Sequence, residues 1–529
     1  MSSRSRWWII RAAAGVALLG CAMTWQAFAP LIVAAMGLLL TWGVASRVTD
    51  DRVCLRLIVA SYLVKVLLAT VMFAASYYAW PFLREYQGGG GFWSFSDDSP
   101  GYSFSGGHLM NAWKGIASGP PAYYDNWTFV VYLGVLYFCF GEQPLVVTIF
   151  NAWYGSIIML AALMILRRWR TSTSATRMGM ALLGFLPSLL VWSTQVMKDP
   201  MTLALTMLGV CLMVLLTESG RHPRLTFVRL LGLFALLLFV LTLFRGYAAI
   251  ALGIATTLAC GVQAVRRWGQ GDSRYVGPFL TISVMTLAVL VVAHRVDLEQ
   301  SIVKPAYRPR ATTPRPAVSH QAVASRSTSP VDQVSKPPQV ELPPPPPLPP
   351  SPSPPLPPSP SQQQSSVKTL VQDQIHDALG RVMPQGLDSL REGFAASGGD
   401  SVMDKQYRFH NTLDVLWYLP RALTIAFFAP FPSQWLEISG RTKALRVLAA
   451  FEVLLIYLLF VGCVVRIRHL RSVLSLQAMA IWCFVFLVAV PMGITVANVG
   501  TLFRLRLQFL FPLILLLCSL VARPLEDEV

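Results

Sequence analysis

The residues best suited to chemistry in this 529-residue chain fall into a few small groups. Asp97 and Asp98 form an adjacent carboxylate pair in FWSFSDDSPGY, with Tyr102 and His108 close behind. Two carboxylates side by side offer hard oxygen ligands to a divalent cation such as Mg or Mn. One of them can instead serve as a general base toward a hydroxyl. DDSPG is also strong turn sequence, so a solvated acidic turn is the competing reading. In WSTQVMKDP, Lys198 supplies a point charge suited to phosphate, and Asp199 a carboxylate for a metal or an acceptor. The plainer reading of that pair is a helix boundary, with Asp199 and Pro200 opening the next helix.

A basic group follows. Arg245 lies at the end of one apolar run, and Arg504 and Arg506 lie at the end of another, in GTLFRLRLQF. A lipid-linked phosphate or an anionic lipid gives such arginines a ligand. Snorkelling toward headgroups accounts for them equally well. Lys65, in SYLVKVLLA, and Glu452, in FEVLLIY, stand inside apolar runs. Charge at that depth is costly and usually faces a partner or a cavity. Whether these two pair with each other is open from sequence.

The elements that must carry these residues are hydrophobic helices. Apolar residues make up 54% of the chain and charged residues 13%. A soluble domain carries roughly 25% charged residues. Apolar runs fall near 7–25, 29–46, 55–78, 143–166, 177–194, 200–217, 225–244, 247–265, 276–294, 444–465, 472–496 and 502–522. Each is long enough to cross a hydrocarbon core as a helix. The first has basic residues ahead of it but no cleavage site before a polar domain, so it reads as a retained helix.

Arginines then set the orientation. Arg47, Arg52, Arg167, Arg168, Arg170, Arg221, Arg224, Arg266, Arg267, Arg274, Arg466, Arg468 and Arg471 all follow even-numbered runs. The positive-inside rule places those loops and both termini in the cytoplasm. Trp127–Phe140 is too short to span and suits an interfacial helix. Counting it as a span would break the charge pattern. The expected fold is therefore an all-α polytopic membrane protein with about twelve transmembrane helices.

Four regions follow. Residues 1–294 form a membrane module whose first outer loop, 79–142, includes interfacial helices. Residues 295–366 form an extracytoplasmic insert whose VELPPPPPLPPSPSPPLPPSPS stretch cannot bury a core and reads as disordered or polyproline II. A spacer is the plain reading of it and an SH3-type ligand the functional one. Residues 367–443 read as outer or interfacial helices: a periodic stretch over 367–394, then LDVLWYLPRALTIAFFAPFPSQW as a broken, membrane-surface helix pair. Residues 444–529 hold the last membrane helices.

Several function classes are absent. The net charge of +17 falls in loops beside membrane runs, without the aromatic interleaving of a single-strand nucleic-acid binder. The eight cysteines show no CxxC or metal spacing. There is no P-loop, dinucleotide fingerprint, HExxH or GxSxG. A substrate resident in the membrane fits better than a nucleotide.

The order of features resembles the polyprenol-phosphate-dependent membrane glycosyltransferases of the GT-C type, particularly family 39-like and bacterial polysaccharide-assembly members. The similar stretches are DSPGY ahead of HLMNAW, YLGVLYFCFGEQPLVVTIFNAWYGS, FLPSLLVWSTQVMKDP, YLPRALTIAFFAPFPSQW, FEVLLIY and GTLFRLR. They cover most of the chain but not the proline-rich insert. The resemblance implies inverting transfer of a sugar from a polyprenyl-phosphate donor to a glycan or lipid acceptor on the outer face. In that scheme Asp98, spaced like the family's carboxylate from Tyr102, is the base. Asp97 or Asp199 orients the acceptor or holds a divalent cation. Lys198, Arg245, Arg504 and Arg506 hold the lipid phosphate, with Tyr102, His108 and Glu452 nearby. Polysaccharide-assembly proteins would be partners. Two alternatives stand beside it: a polymerase or ligase acting on lipid-linked oligosaccharide, and a non-enzymatic export or assembly protein.

Overall fold

A computed structural model of the chain describes residues 3–117, 126–169, 171–218, 223–289, 291, 384–396, 402–435, 443–465 and 475–521, with the backbone alone over 3–25. By contact the chain divides into one unit of 1–301 with 380–529 and a second of 302–379. The second unit, with the proline-rich stretch, lies outside the described residues, as do 367–383 of the expected helix and the loop of Arg466, Arg468 and Arg471.

The first unit is almost wholly helical. Its elements are α1 (Ser3–Val48), α2 (Arg52–Tyr77), α3 (Asp98–Trp113), α4 (Trp127–Phe140), α5 (Pro144–Arg168), α6 (Thr173–Gly184), α7 (Pro187–Ser193), α8 (Asp199–Leu216) and α9 (Arg224–Trp268). After them come α10 (Ser273–Val289), α11 (Pro384–Ala396), α12 (Thr412–Phe428), α13 (Pro432–Trp435), α14 (Lys443–Val465), α15 (Leu476–Thr495), α16 (Val499–Leu505) and α17 (Leu507–Val521). A two-stranded hairpin, Gln87–Gly89 with Phe92–Trp93, precedes α3.

Seven of the described helices are long and apolar enough to cross a membrane, or up to nine when each bent pair counts as one span. The protein is a multi-pass membrane protein. Its burial gradient is the one a bundle in lipid requires: the apolar window of α8 is 83% buried, that of α2 28%. The last helix, α17, is apolar on every side and its residues Leu513–Leu517 are almost wholly covered, as a helix at the centre of a bundle must be.

The expected count of twelve is not what the described helices give. The first two apolar runs lie in one continuous helix, α1, through Pro30, with no reversal between them. Two expected spans are bent pairs, α6 with α7 (42°) and α16 with α17 (58°). Two others are the arms of α9. This element runs 45 residues but is non-helical at Arg245 (φ −151°, ψ 73°). The side chains of Leu237 and Leu252 both lie within 4 Å of where a Cβ on Gly209 would stand. In a straight helix those leucines would be about 22 Å apart. The chain therefore turns back at Arg245. The short α4 is 14 residues, as read from sequence, and packs on α3: its Tyr137 hydroxyl meets Ser103 at 2.7 Å.

The helices have two distinct ends. At one, Arg167 donates to the Val48 carbonyl, Arg168 pairs with Glu218, and Arg177 pairs with Asp51 at 3.0 Å. Exposed Trp42 and Trp268 sit near this arginine-rich end. At the other, exposed Tyr77, Tyr78, Trp80, Phe82, Trp113 and Trp127 cluster before and after α3. Aromatic rings at both ends mark the two interfaces of a membrane protein. The 18 residues of α8 separate them by about 27 Å of helical rise.

The bends in α6–α7 and α16–α17 explain the two charges at depth. Pro187 opens α7 and cannot donate to the preceding turn. The freed Gly184 carbonyl accepts from Lys65 Nζ and Ser61 Oγ, both at 2.8 Å. The freed Ser188 amide donates to Glu452 Oε2 at 3.2 Å. A cation thus sits at the C-terminal end of one half-helix and an anion at the N-terminal end of the other, each the sign its end attracts. Lys65 and Glu452 do not pair; they serve opposite sides of one break. Glu452 also binds Arg506 at 3.1 Å, both side chains wholly covered, and Arg506 donates to the Ala429 carbonyl at the end of α12.

The segment over 413–435 is a broken helix pair, as its prolines suggest. Helix α12 carries Pro420 within it, and α13 follows after Pro430. It packs against α15 so closely that the Ala422 backbone occupies the space a Cβ on Gly493 would need.

Candidate active site

Helix starts, one helix reversal and one helix break bring distant charges together at the end opposite the arginine-rich loops. Asp98 is the first residue of α3, and Asp199 the first of α8. Arg245 stands at the turn of α9, and Arg504 in the last turn of α16. Arg504 Nη1 bonds Asp98 Oδ2 at 2.8 Å, and its Nε lies 3.7 Å from Asp199 Oδ2. Arg245 Nη2 pairs with Asp199 Oδ1, and its Nη1 donates to the Tyr247 hydroxyl at 3.2 Å. Residues 98, 199, 245 and 504 so form one continuous row of alternating charge.

Lys198 extends the row. Its ammonium donates to Asn126 Oδ1, while Asn126 Nδ2 donates to the Tyr102 hydroxyl at 2.8 Å. Asn126 has φ +64°, a left-handed conformation that asparagine tolerates better than most residues. The 195–198 turn is held from below by Asn151, whose amide donates to the Gln195 carbonyl at 2.8 Å. Burial and the nearby Arg245 guanidinium push the Lys198 ammonium down to about 7, against the opposing pull of Asp199. Burial, with Asp98 and Asp199 adding to it, raises the Tyr102 phenol above its ordinary range.

The row is not saturated. Asp199 Oδ2, Arg245 Nε and Arg504 Nε are buried and, among the described residues, make no hydrogen bond. A buried polar group left without a partner costs roughly 1–3 kcal/mol. Guanidinium donors and a nearby ammonium suit a phosphate oxygen. Asp98 is different in character: its side chain is 47% exposed against 4% for Asp199. It is the carboxylate of the row that solvent reaches.

Five of the residues singled out from sequence converge here: Asp98, Lys198, Asp199, Arg245 and Arg504, with Tyr102 lining the row through Asn126. Asp97 precedes α3, exposed and without a capping bond. His108 lies about 15 Å further along α3 by helical rise, its ring 6.3 Å from that of Phe104. Arg506 and Glu452 are set apart, because their mutual ion pair is wholly covered and cannot touch a substrate. Asn126 and Tyr247 escaped sequence reasoning. Each is a single polar residue beside a helix terminus and carries no motif.

The donor set does not suit a divalent cation at Asp199. Two guanidiniums already flank that carboxylate. Among the described residues no three His, Cys, Asp or Glu side chains group as metal ligands. No known protein family, curated protein or solved structure matches this chain.

Proposed function

We propose that the protein is a GT-C-type membrane glycosyltransferase that moves a sugar from a polyprenyl-phosphate donor to an acceptor on the extracytoplasmic face, in assembly of a surface polysaccharide or glycoconjugate. The observation that carries this reading is the row Asp98–Arg504–Asp199–Arg245 with Lys198, drawn from four distant segments to one end of the bundle. A lipid-linked sugar presents its phosphate at that depth.

The chemistry is simple to write. Asp98 takes the proton of the acceptor hydroxyl. The acceptor oxygen attacks the anomeric carbon from the face opposite the phosphate, and the bond from that carbon to the phosphate oxygen breaks. The electron pair goes to the phosphate, which leaves as polyprenyl phosphate with its added charge held by Arg504, Arg245 and Lys198. A base for the nucleophile and fixed cations for the leaving group are what this transfer needs. Asp199 holds the two arginines at their spacing.

The arginine-rich end is then cytoplasmic and the site end outer, in a bacterial inner membrane. Polysaccharide-assembly proteins are the partners this reading implies. A non-enzymatic export or assembly protein would use the row as a structural ion-pair network. A polymerase or ligase would use the same arginines on a lipid pyrophosphate.

The test is genetic. Cells lacking the protein should lose one sugar from a surface glycan. The wild-type chain should restore it, and Asp98→Asn, present in the membrane at equal level, should not. An unchanged surface glycan in the deleted strain overturns the proposal.

A further inference from the structure

The two carboxylates of the row sit on arginines of unequal exposure. Asp199 and Arg245 are 4% and 7% exposed, whereas Asp98 and Arg504 are 47% and 23% exposed. Separating a buried pair leaves uncompensated charge in a low-dielectric site. Separating a half-exposed pair costs little, because water takes up the released carboxylate. Arg504 also keeps a second anion when Asp98 leaves, Asp199 Oδ2 3.7 Å from its Nε, and among the described residues that Nε makes no hydrogen bond. Arg504 is thus the arginine that can change partners.

Asp98 Oδ2 already accepts from the Arg504 guanidinium, so that oxygen is free for an acceptor hydroxyl only when the pair opens. Resting on the glycosyltransferase reading, we infer that Arg504 holds Asp98 out of use until the donor phosphate takes its place on the guanidinium. The same exchange seats the leaving group and frees the base. Proton transfer from an acceptor, or from water, is therefore suppressed while the donor site is empty. Arg245 stays on Asp199 throughout and fixes the frame within which Arg504 exchanges. The order that follows is donor first, acceptor second.

The exchange predicts that Asp98 competes with phosphate for Arg504. The experiment uses the purified full chain in nanodiscs, titrated with undecaprenyl phosphate. Asp98→Asn and Asp98→Ala should each bind it about three- to five-fold more tightly than wild type, the worth of one half-exposed ion pair. Asp97→Asn removes the same charge one residue earlier, on a side chain not bonded to Arg504, and should change binding less than about twofold. Inorganic phosphate as a second probe separates a site for the phosphate group alone from one that also needs the lipid tail. The ratio of Asp98 variant to wild type should match for whichever probe binds. If the Asp98 variants bind no more tightly than Asp97→Asn, the exchange is overturned and the transferase reading stands. If wild type binds neither probe, the transferase reading falls and takes the exchange with it.

Discussion

Glu452→Gln removes one charge from the centre of the bundle and little else. The amide keeps an oxygen for the Ser188 amide but no longer neutralises Arg506, which is wholly covered. Breaking one side of a buried ion pair costs about 3–5 kcal/mol, because the remaining charge has neither water nor counter-ion. The lower value fits here, since Arg506 retains the Ala429 carbonyl. We expect a loss of about 3 kcal/mol, more than a hundredfold in the folding constant. Replacing both partners, Glu452→Gln with Arg506→Met, removes the stranded charge and should recover most of that loss. The assay is reversible unfolding in mixed micelles, followed by tryptophan fluorescence as a double-mutant cycle. A single variant within about 1 kcal/mol of wild type, or a double variant as unstable as the single, refutes the assignment of this pair as a joint between broken helices.

Three further outcomes follow. Lys65→Met should shift stability by less than about 1 kcal/mol, because Ser61 still serves the Gly184 carbonyl at 2.8 Å and a lone buried cation is removed; the same unfolding assay reads it. Gly493→Ala should cost about 2 kcal/mol or more, since the new methyl meets the Ala422 backbone, whereas Gly101→Ala, in open space on α3, should be neutral or slightly stabilising. Phosphate-lipid binding should weaken as pH rises through about 7, where the Lys198 ammonium titrates. Below that pH the charge is already present; above it, binding must take up a proton, so affinity falls by up to about tenfold per pH unit. Lys198→Arg should flatten that profile, and an unchanged slope in the variant would count against Lys198 as a phosphate ligand.

Much of the fold is visible in the sequence because membranes demand long apolar runs. Every run expected to span lies within a helix or bent pair, apart from the stretches outside the described residues. The 14-residue length of Trp127–Phe140 separates it from the spans for the same reason. What hydropathy does not encode is where a helix bends or reverses. At Arg245 the gap between the runs 225–244 and 247–265 does mark the reversal. A similar gap at 25–29 does not: two runs read there as two helices, and the structure has one.

The site shows the same division. Charged residues at helix starts and turns, such as Asp98, Asp199 and Arg504, stand out against an apolar background. Arg504 and Arg506 look equivalent in FRLR, yet residues two apart on a helix point to nearly opposite sides. One reaches the Asp98–Asp199 row and the other the buried Glu452. Lys65 and Glu452 are also legible as costly. Their partners are backbone groups released by a break at Pro187, which only the three-dimensional arrangement reveals.

On the transferase reading Asp98 is the base of the reaction rather than a structural acid. The single-turnover rate of sugar transfer from a polyprenyl-phosphate sugar by Asp98→Asn in membranes, with donor binding measured in the same preparation, decides between these roles. A rate lower by about a hundred- to ten-thousand-fold is expected, the range lost with a general base, while the donor binds at least as well as to wild type. A variant that transfers sugar at the wild-type rate contradicts it.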